Sequence, residues 1–150
     1  MTGDSEDRAG YAVGLLPYGP PLDDRTAEAA LAGAERHAHA IGCRVVIAVV
    51  EPNGTLRRFA RMEDSNYGSI DLAIGKAETA TNFRVSSLFF KTLAQDTSGV
   101  WPIAGAVAIE GGLPIISEGR VIGGIGVSGA SAADDGRIAA AGLAAAQQGP

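Results

Sequence analysis

Between Glu110 and Ala130 the chain reads EGGLPIISEGRVIGGIGVSGA, and this glycine-dense stretch restricts the fold more than any other. Two apolar runs, LPIIS and RVIGGIGVS, are separated only by Glu118 and Gly119. That is the spacing of a two-residue β-hairpin, with glycine where a positive φ is wanted. The second run then carries Gly123, Gly124 and Gly126, so a strand with apolar flanks lacks three side chains. Bare backbone in a strand marks close approach, either of a packed helix or of a ligand. Both readings stay open from the sequence.

Gly124, Gly126 and Gly129 also spell G-x-G-x-x-G, the dinucleotide fingerprint. That fold requires a second parallel strand and an acidic residue about 20 positions further on to hold the ribose. Only 21 residues follow Gly129, and they read as helix and tail, so no nucleotide site is expected.

The remaining elements follow from local signals. Asp23 is an N-cap for a helix whose apolar stripe is Ala27, Ala30, Leu31, Ala34, Ala38 and Ile41, with Gly42 closing it. RVVIAVV and LRRFARM are strands joined through the Asn53-Gly54 turn. Ser69 opens a central helix, a shorter helix covers Ser86 to Gln95, VAIEGG reads as a further strand, and Ser131 caps a last helix. The pattern predicts an α+β domain with about five strands in an antiparallel sheet, flanked by helices. Residues 1–22, with Pro17, Pro20 and Pro21 among polar and apolar residues, read as an irregular arm ahead of one domain over 23–150.

A net charge of -5 with scattered basic residues gives no footprint for nucleic acid or an anionic membrane. The N-terminus is acidic where a signal peptide would be basic, and no run approaches 18 apolar residues, so a cytoplasmic chain is expected. Cys43 is a lone cysteine, and no Cys/His spacing suits structural zinc, so no metal site is expected.

Lys76 is the first candidate for chemistry. On helical spacing it falls beside Leu72, Thr79 and Phe83, away from the polar stripe of Asp71, Glu78 and Asn82, so its ammonium must pair with a carboxylate, snorkel or bind an anion. Glu110, before Gly111 and Gly112, stands at the end of an apolar run where bare backbone gives access. Asp134 and Asp135 suit the first turn of the last helix, with Asp134 the alternative rim carboxylate. Arg57 and Arg61 are placed on one strand face and Arg58 on the other.

Several motifs occur in order: IAVVEPNG, RME, SIDLAIGKAETA, GGLPI and GGIGVSG. Over residues 26 to 146 they resemble the GlcG/HbpS-like family, which is related to the C-terminal domain of PduO. The resemblance implies a profilin-like fold, homo-oligomeric assembly and, in some members, haem or a tetrapyrrole-related role. It does not fix an activity. For a haem ligand, His37 flanks the apolar stripe whereas His39 faces outward. The two lie about 200° apart around the helix, so they cannot chelate one metal together. Met62 and Tyr67 are the other conceivable axial groups.

Together these point to a protein that binds haem or another flat carboxylated molecule between the central helix and the glycine-bared strand. Lys76, Thr79, Phe83, Gly111, Gly112, Gly124, Gly126 and His37 are its expected contacts. The rival reading is a cofactor-free isomerase, lyase or cyclase in which Lys76 with Glu110 or Asp134 moves protons. A third is an accessory protein acting through assembly.

Overall fold

A computed structural model describes residues 16–96 and 105–148. Helix α1 (Asp24–Ala40) starts where the Asp23 carboxylate accepts the Thr26 amide at 2.8 Å, and it buries the expected alanine and leucine stripe. Gly42, at φ 73°, turns the chain into β1 (Val46–Val50), whose five residues are all buried. A turn with Gly54 at φ 87° leads to β2 (Leu56–Arg61). Helix α2 (Gly68–Phe83) begins without a side-chain cap, one residue ahead of the expected Ser69, and ends on Arg84 in the left-handed region. Helix α3 (Ser87–Asp96) follows. Strands β3 (Gly112–Ser117) and β4 (Arg120–Ser128) are joined through Glu118 and Gly119, both at positive φ as a primed hairpin turn demands. Ser131 accepts the Asp134 amide at 3.1 Å and starts α4 (Ala132–Gln147).

The sheet has the order β2-β1-β4-β3 and is antiparallel throughout. Four strands form among the described residues where about five were expected. The run VAIEGG meets the sheet only at its last two residues, Gly111 and Gly112. Its backbone is claimed by side chains instead: the Val107 amide donates to Thr79 Oγ1 at 2.9 Å, and Ser87 Oγ donates to the Ile109 carbonyl at 2.6 Å.

Alternation along β1 divides the core. Ile47 and Val49, with Ile115, Ile125 and Val127, pack under α1 and α4, and Val46, Ala48 and Val50 pack under Ala73 and Ala77 of α2. The result is a profilin-like α+β layering with two helices on one face and α2 on the other. Close contact between α1 and α4 is set by Gly33 and Gly142, whose missing side chains would run into Ala145 and the Ala30 carbonyl.

The last described part of the arm is built into this sheet. The strand β1 ends opposite Gly124, and residues 17–22 take over its side of β4. Gly19 donates to the Val121 carbonyl at 2.9 Å, Val121 to the Pro17 carbonyl at 2.9 Å, and Leu22 to the Ile122 carbonyl at 3.0 Å. Tyr18 Oη lies 2.7 Å from the Thr81 carbonyl and 3.1 Å from that of Asn82, closing the C-terminal end of α2.

Candidate functional site: a buried lysine clasp and an open Arg–Tyr cleft

Lys76 is 1% exposed, the largest fully buried side chain among the described residues. Its stem crosses the margin of the sheet where β3 stops. The Val127 amide donates to the Gly111 carbonyl at 2.9 Å, but Gly111, at φ 128°, then turns away. The Val127 carbonyl, which a continuing ladder would pair with a strand amide, instead accepts from Lys76 Nζ at 2.9 Å. The same ammonium meets Asp135 Oδ2 at 3.1 Å, and Asp135 Oδ1 accepts the Ala130 amide at 2.9 Å. Burial pushes the Asp135 carboxyl above the ordinary range, and the Ala130 amide and the Lys76 charge pull it back.

A lid of irregular chain completes the clasp. Thr79 Oγ1 donates to the Gly75 carbonyl at 2.7 Å while accepting Val107, and Ser87 Oγ accepts the Gly112 amide at 2.8 Å. Gly111 and Gly112 run against Lys76 itself: a Cβ on Gly111 would stand 3.0 Å from Nζ, and one on Gly112 would strike the Lys76 carbonyl. Half-buried Glu110 lies over the first turn of α4, its carboxylate against Gly136. Chemically the arrangement is an ion pair that ties α2, β4 and α4 together with its hydrogen bonds satisfied.

Lys76, Thr79, Glu110, Gly111 and Gly112 thus lie near one another, in a closed arrangement around the lysine's ion pair. Asp134 is a different matter: it pairs with Arg137 at 2.8 Å near the surface, and its neighbour Asp135 is the lysine's partner. The signal for Asp135 was present, since it heads the stripe Asp135, Ile138, Ala139 and Gly142 at helical spacing, all buried. Phe83 packs on Phe90, with ring centroids 4.8 Å apart. His37 is half-buried in the last turn of α1, a helix that covers the opposite sheet face from α2.

The space expected between α2 and the glycine-bared strand is filled by α2 itself. A Cβ on Gly126 would strike the Ala73 carbonyl, and one on Gly124 would strike Thr81 Oγ1 and stand 2.9 Å from the Ala77 carbonyl. In a single chain the missing side chains of Gly124 and Gly126 serve backbone-to-backbone packing and leave no ligand wall there.

On β2 the arginines depart from simple alternation. A bulge between Val49 and Val50 offsets Arg57, so Arg57 and Arg58 both reach Asp24, at 2.8 and 3.0 Å. Arg57 also meets Glu51 at 2.6 Å. The hydrogen bond from Arg57 holds the Asp24 carboxyl below its ordinary value. Arg61 has no such partner: among the described residues no carboxylate comes within 4.0 Å, and its guanidinium lies 4.9 Å from the centroid of the Tyr67 ring. Arg61, Glu63, Asp64, Ser65 and Tyr67 line an open cleft of about 590 Å³.

Met62, 5% exposed, is core and offers no sulfur to a ligand, and exposed His39 stands 3.9 Å from Glu35. Among the described residues no group of three or more His, Cys, Asp and Glu could hold a metal ion, and no helix is long and apolar enough to cross a membrane.

The motifs and the fold agree with known proteins. An uncharacterized 15.0 kDa protein of the dhaT-dhaS intergenic region of Citrobacter freundii is 31% identical over 117 residues, covering 70% of this chain and 82% of its own length. Among solved structures, the PduOC:heme complex superposes with a TM-score of 0.78 at 27% identity, covering 83% of this chain and 94% of that one. A crystal structure of HbpS superposes equally well, with a TM-score of 0.78 at 30% identity over 87% of this chain and 94% of that one. The family profile described as haem degrading protein HbpS-like matches residues 22–144, and the chain belongs to the HbpS-like family.

Proposed function

We propose that this protein binds haem or a closely related tetrapyrrole. The observation that carries the reading is the likeness over most of the chain to a protein solved as a haem complex, joined to the match with a haem-degrading family. Haem would supply an iron centre with open coordination positions. The residues of this chain would hold the macrocycle, orient it and neutralise its carboxylates.

The geometry limits where that can happen. The layer between α2 and β4 is closed, and Lys76 is committed to Asp135 and the Val127 carbonyl, so neither offers a seat within one chain. A ligand of this size therefore belongs on an open surface, and the free cation Arg61 in its cleft suits a carboxylated one. Proton transfer by Lys76 in a cofactor-free isomerase, lyase or cyclase has less support. A catalytic base must reach its substrate, and this ammonium is sealed and paired. Assembly from several copies and residence in the cytoplasm belong to the same proposal, as does the division into an arm over 1–22 and a binding domain over 23–150.

Titration of the purified chain with ferric haem, followed by absorbance, tests the reading. A saturable Soret shift at one haem per chain, or per small whole number of chains, supports it. A spectrum equal to that of free haem at every ratio overturns it.

A further inference from the structure

We infer that Asn53 is a site of spontaneous covalent modification, at which the folded chain converts its own side-chain amide to aspartate and isoaspartate through a cyclic imide. The inference is independent of the haem reading. Asn53 stands exposed in the turn between β1 and β2, and the residue after it is Gly54. Imide formation needs the backbone nitrogen of the following residue to reach the side-chain carbonyl carbon, and a glycine leaves that nitrogen unshielded. The neighbourhood is open as well: a Cβ built on Gly54 would have Asn82 Oδ1 and Glu78 Cγ nearest to it, both at 3.7 Å. The hydrogen bonds of the turn act on the two reacting groups with opposite sign. Asn53 Oδ1 accepts the Thr55 amide at 3.0 Å, so the negative charge that gathers on this oxygen during attack has a donor already in place. The Gly54 amide donates to the Glu51 carbonyl at 2.8 Å and must release it before attacking. One hydrogen bond at an exposed turn has a small net worth, so this brake slows the reaction by about tenfold.

Competing positions are closed off. Asp135 also precedes a glycine, Gly136, but its carboxylate is buried, bonded to Lys76 and to the Ala130 amide, and held in the first turn of α4. Imide formation there would require the clasp to open first. Asn66 and Asn82, the other asparagines of the chain, are exposed. They are followed by Tyr67 and Phe83, whose side chains crowd the attacking nitrogen, and Asn82 is further restrained by lying within α2.

The reaction balances with water as its only co-reactant. Base takes the proton from Gly54 N, the nitrogen bonds to Asn53 Cγ, and the Cγ–Nδ2 bond breaks with release of ammonia. Water then opens the imide. Cleavage of the new N–Cγ bond gives aspartate, whereas cleavage at the original peptide carbonyl gives isoaspartate, whose backbone runs through Cγ and gains a methylene. Either product adds a negative charge to a turn that already carries Glu51 and lies beside Glu78. Isoaspartate also lengthens the turn that holds Glu51 against Arg57 at 2.6 Å, and Arg57 is one of the two arginines that bind Asp24 at the start of α1. The modification therefore loosens the tie between β2 and α1 as the protein ages.

Purified full chain is incubated at mildly acidic and mildly alkaline pH, both native and in urea, and then digested and mapped by mass spectrometry with isoaspartate separated from aspartate. The native chain should gain isoaspartate at position 53, faster at the alkaline pH, and at a rate within about tenfold of that in urea. Asn66, Asn82 and Asp135 should stay unchanged in the native chain over the same time. Asn53→Gln, whose imide would need a larger ring, should remain unconverted under both conditions. Asn53→Asp carries the charge without the extra methylene, so aged parent chain should unfold at a lower urea concentration than freshly prepared Asn53→Asp. An Asn53 that keeps its amide in the native chain overturns the inference, whether or not urea releases the reaction. Conversion of Asn66, Asn82 or Asp135 ahead of Asn53 in the native chain overturns it too.

Discussion

Lys76 and Asp135 meet at 3.1 Å across 59 positions of sequence, one from the middle of α2 and the other from the first turn of α4. Both are nearly sealed from water, at 1% and 3% exposure. Desolvating two charges costs more than their attraction returns unless each is also hydrogen-bonded, and here Val127 and Ala130 supply those bonds. The pair is consequently worth less as a source of net stability than as a device that penalises every arrangement in which α2, β4 and α4 do not meet.

Removing one partner should reveal this. Lys76→Met leaves a buried carboxylate with no cation, and unfolding in urea should show a loss of about 3–5 kcal/mol. Adding Asp135→Asn to the same chain removes the orphaned charge and should recover most of that loss. Equal instability of the single and double variants would show that the lysine stem, and not the charge balance, is what the core needs.

Two aspartates should respond to pH with opposite signs. The hydrogen bond from Arg57 holds the Asp24 carboxyl below its ordinary value of 3.8, so its contribution is present above that pH and is lost as pH falls through the lower folded value. Asp24→Asn should therefore flatten the acid limb of a stability profile below about pH 4. Asp135 is raised by burial, so its contribution is full below 3.8 and is lost as pH rises through the folded value. Asp135→Asn should remove a component that declines with rising pH, which a profile of unfolding free energy between acid and neutral pH will display.

Glycines on β4 and α2 should differ sharply in tolerance. Gly126→Ala forces a Cβ into the Ala73 carbonyl and should cost about 1–3 kcal/mol or more. Gly68→Ala, at the start of α2 with open space around it, should be neutral or stabilising by up to about 1 kcal/mol. Thermal melts of the two variants check both directions at once.

Tyr18→Phe should cost about 0.5–1.5 kcal/mol, the worth of a typical hydrogen bond. The hydroxyl is the arm's bond to the last carbonyls of α2, and the Arg84 guanidinium, 4.8 Å from the ring centroid, keeps its aromatic contact in the variant. Limited proteolysis ahead of Pro17 should speed up if the hydroxyl anchors the arm.

Much of this fold is legible because its signals are local. Asp23 and Ser131 cap the helices they precede, and Gly42, Gly54 and Gly119 adopt the positive φ their turns need. What the sequence hides is non-local. VAIEGG has the composition of a strand, but Thr79 and Ser87, contributed by two helices, take up its backbone groups. Asp134 and Asp135 are chemically alike and adjacent, and only the direction of the α4 stripe decides which one reaches Lys76. Bared glycines signal close approach without saying whether helix or ligand approaches; the Ala73 and Ala77 backbone answers that here. Arg57 departs from its expected face because it is the extra residue of a bulge in the pairing of β2 with β1. Tyr67 carried no motif of its own, and its pairing with Arg61 becomes visible only when β2 and α2 are brought side by side.

The pairing of residues 17–22 with β4 has a consequence for where this domain can be cut. A chain begun at Asp23 would keep every helix and strand of the described residues, yet Val121 and Ile122 would lose their hydrogen-bonding neighbours on the β1 side. Unpaired amides and carbonyls next to buried valine and isoleucine form a template for another chain's backbone. Six residues that look like a linker thus act as a plug, and removing them should turn this edge of β4 into one that recruits other copies of the chain.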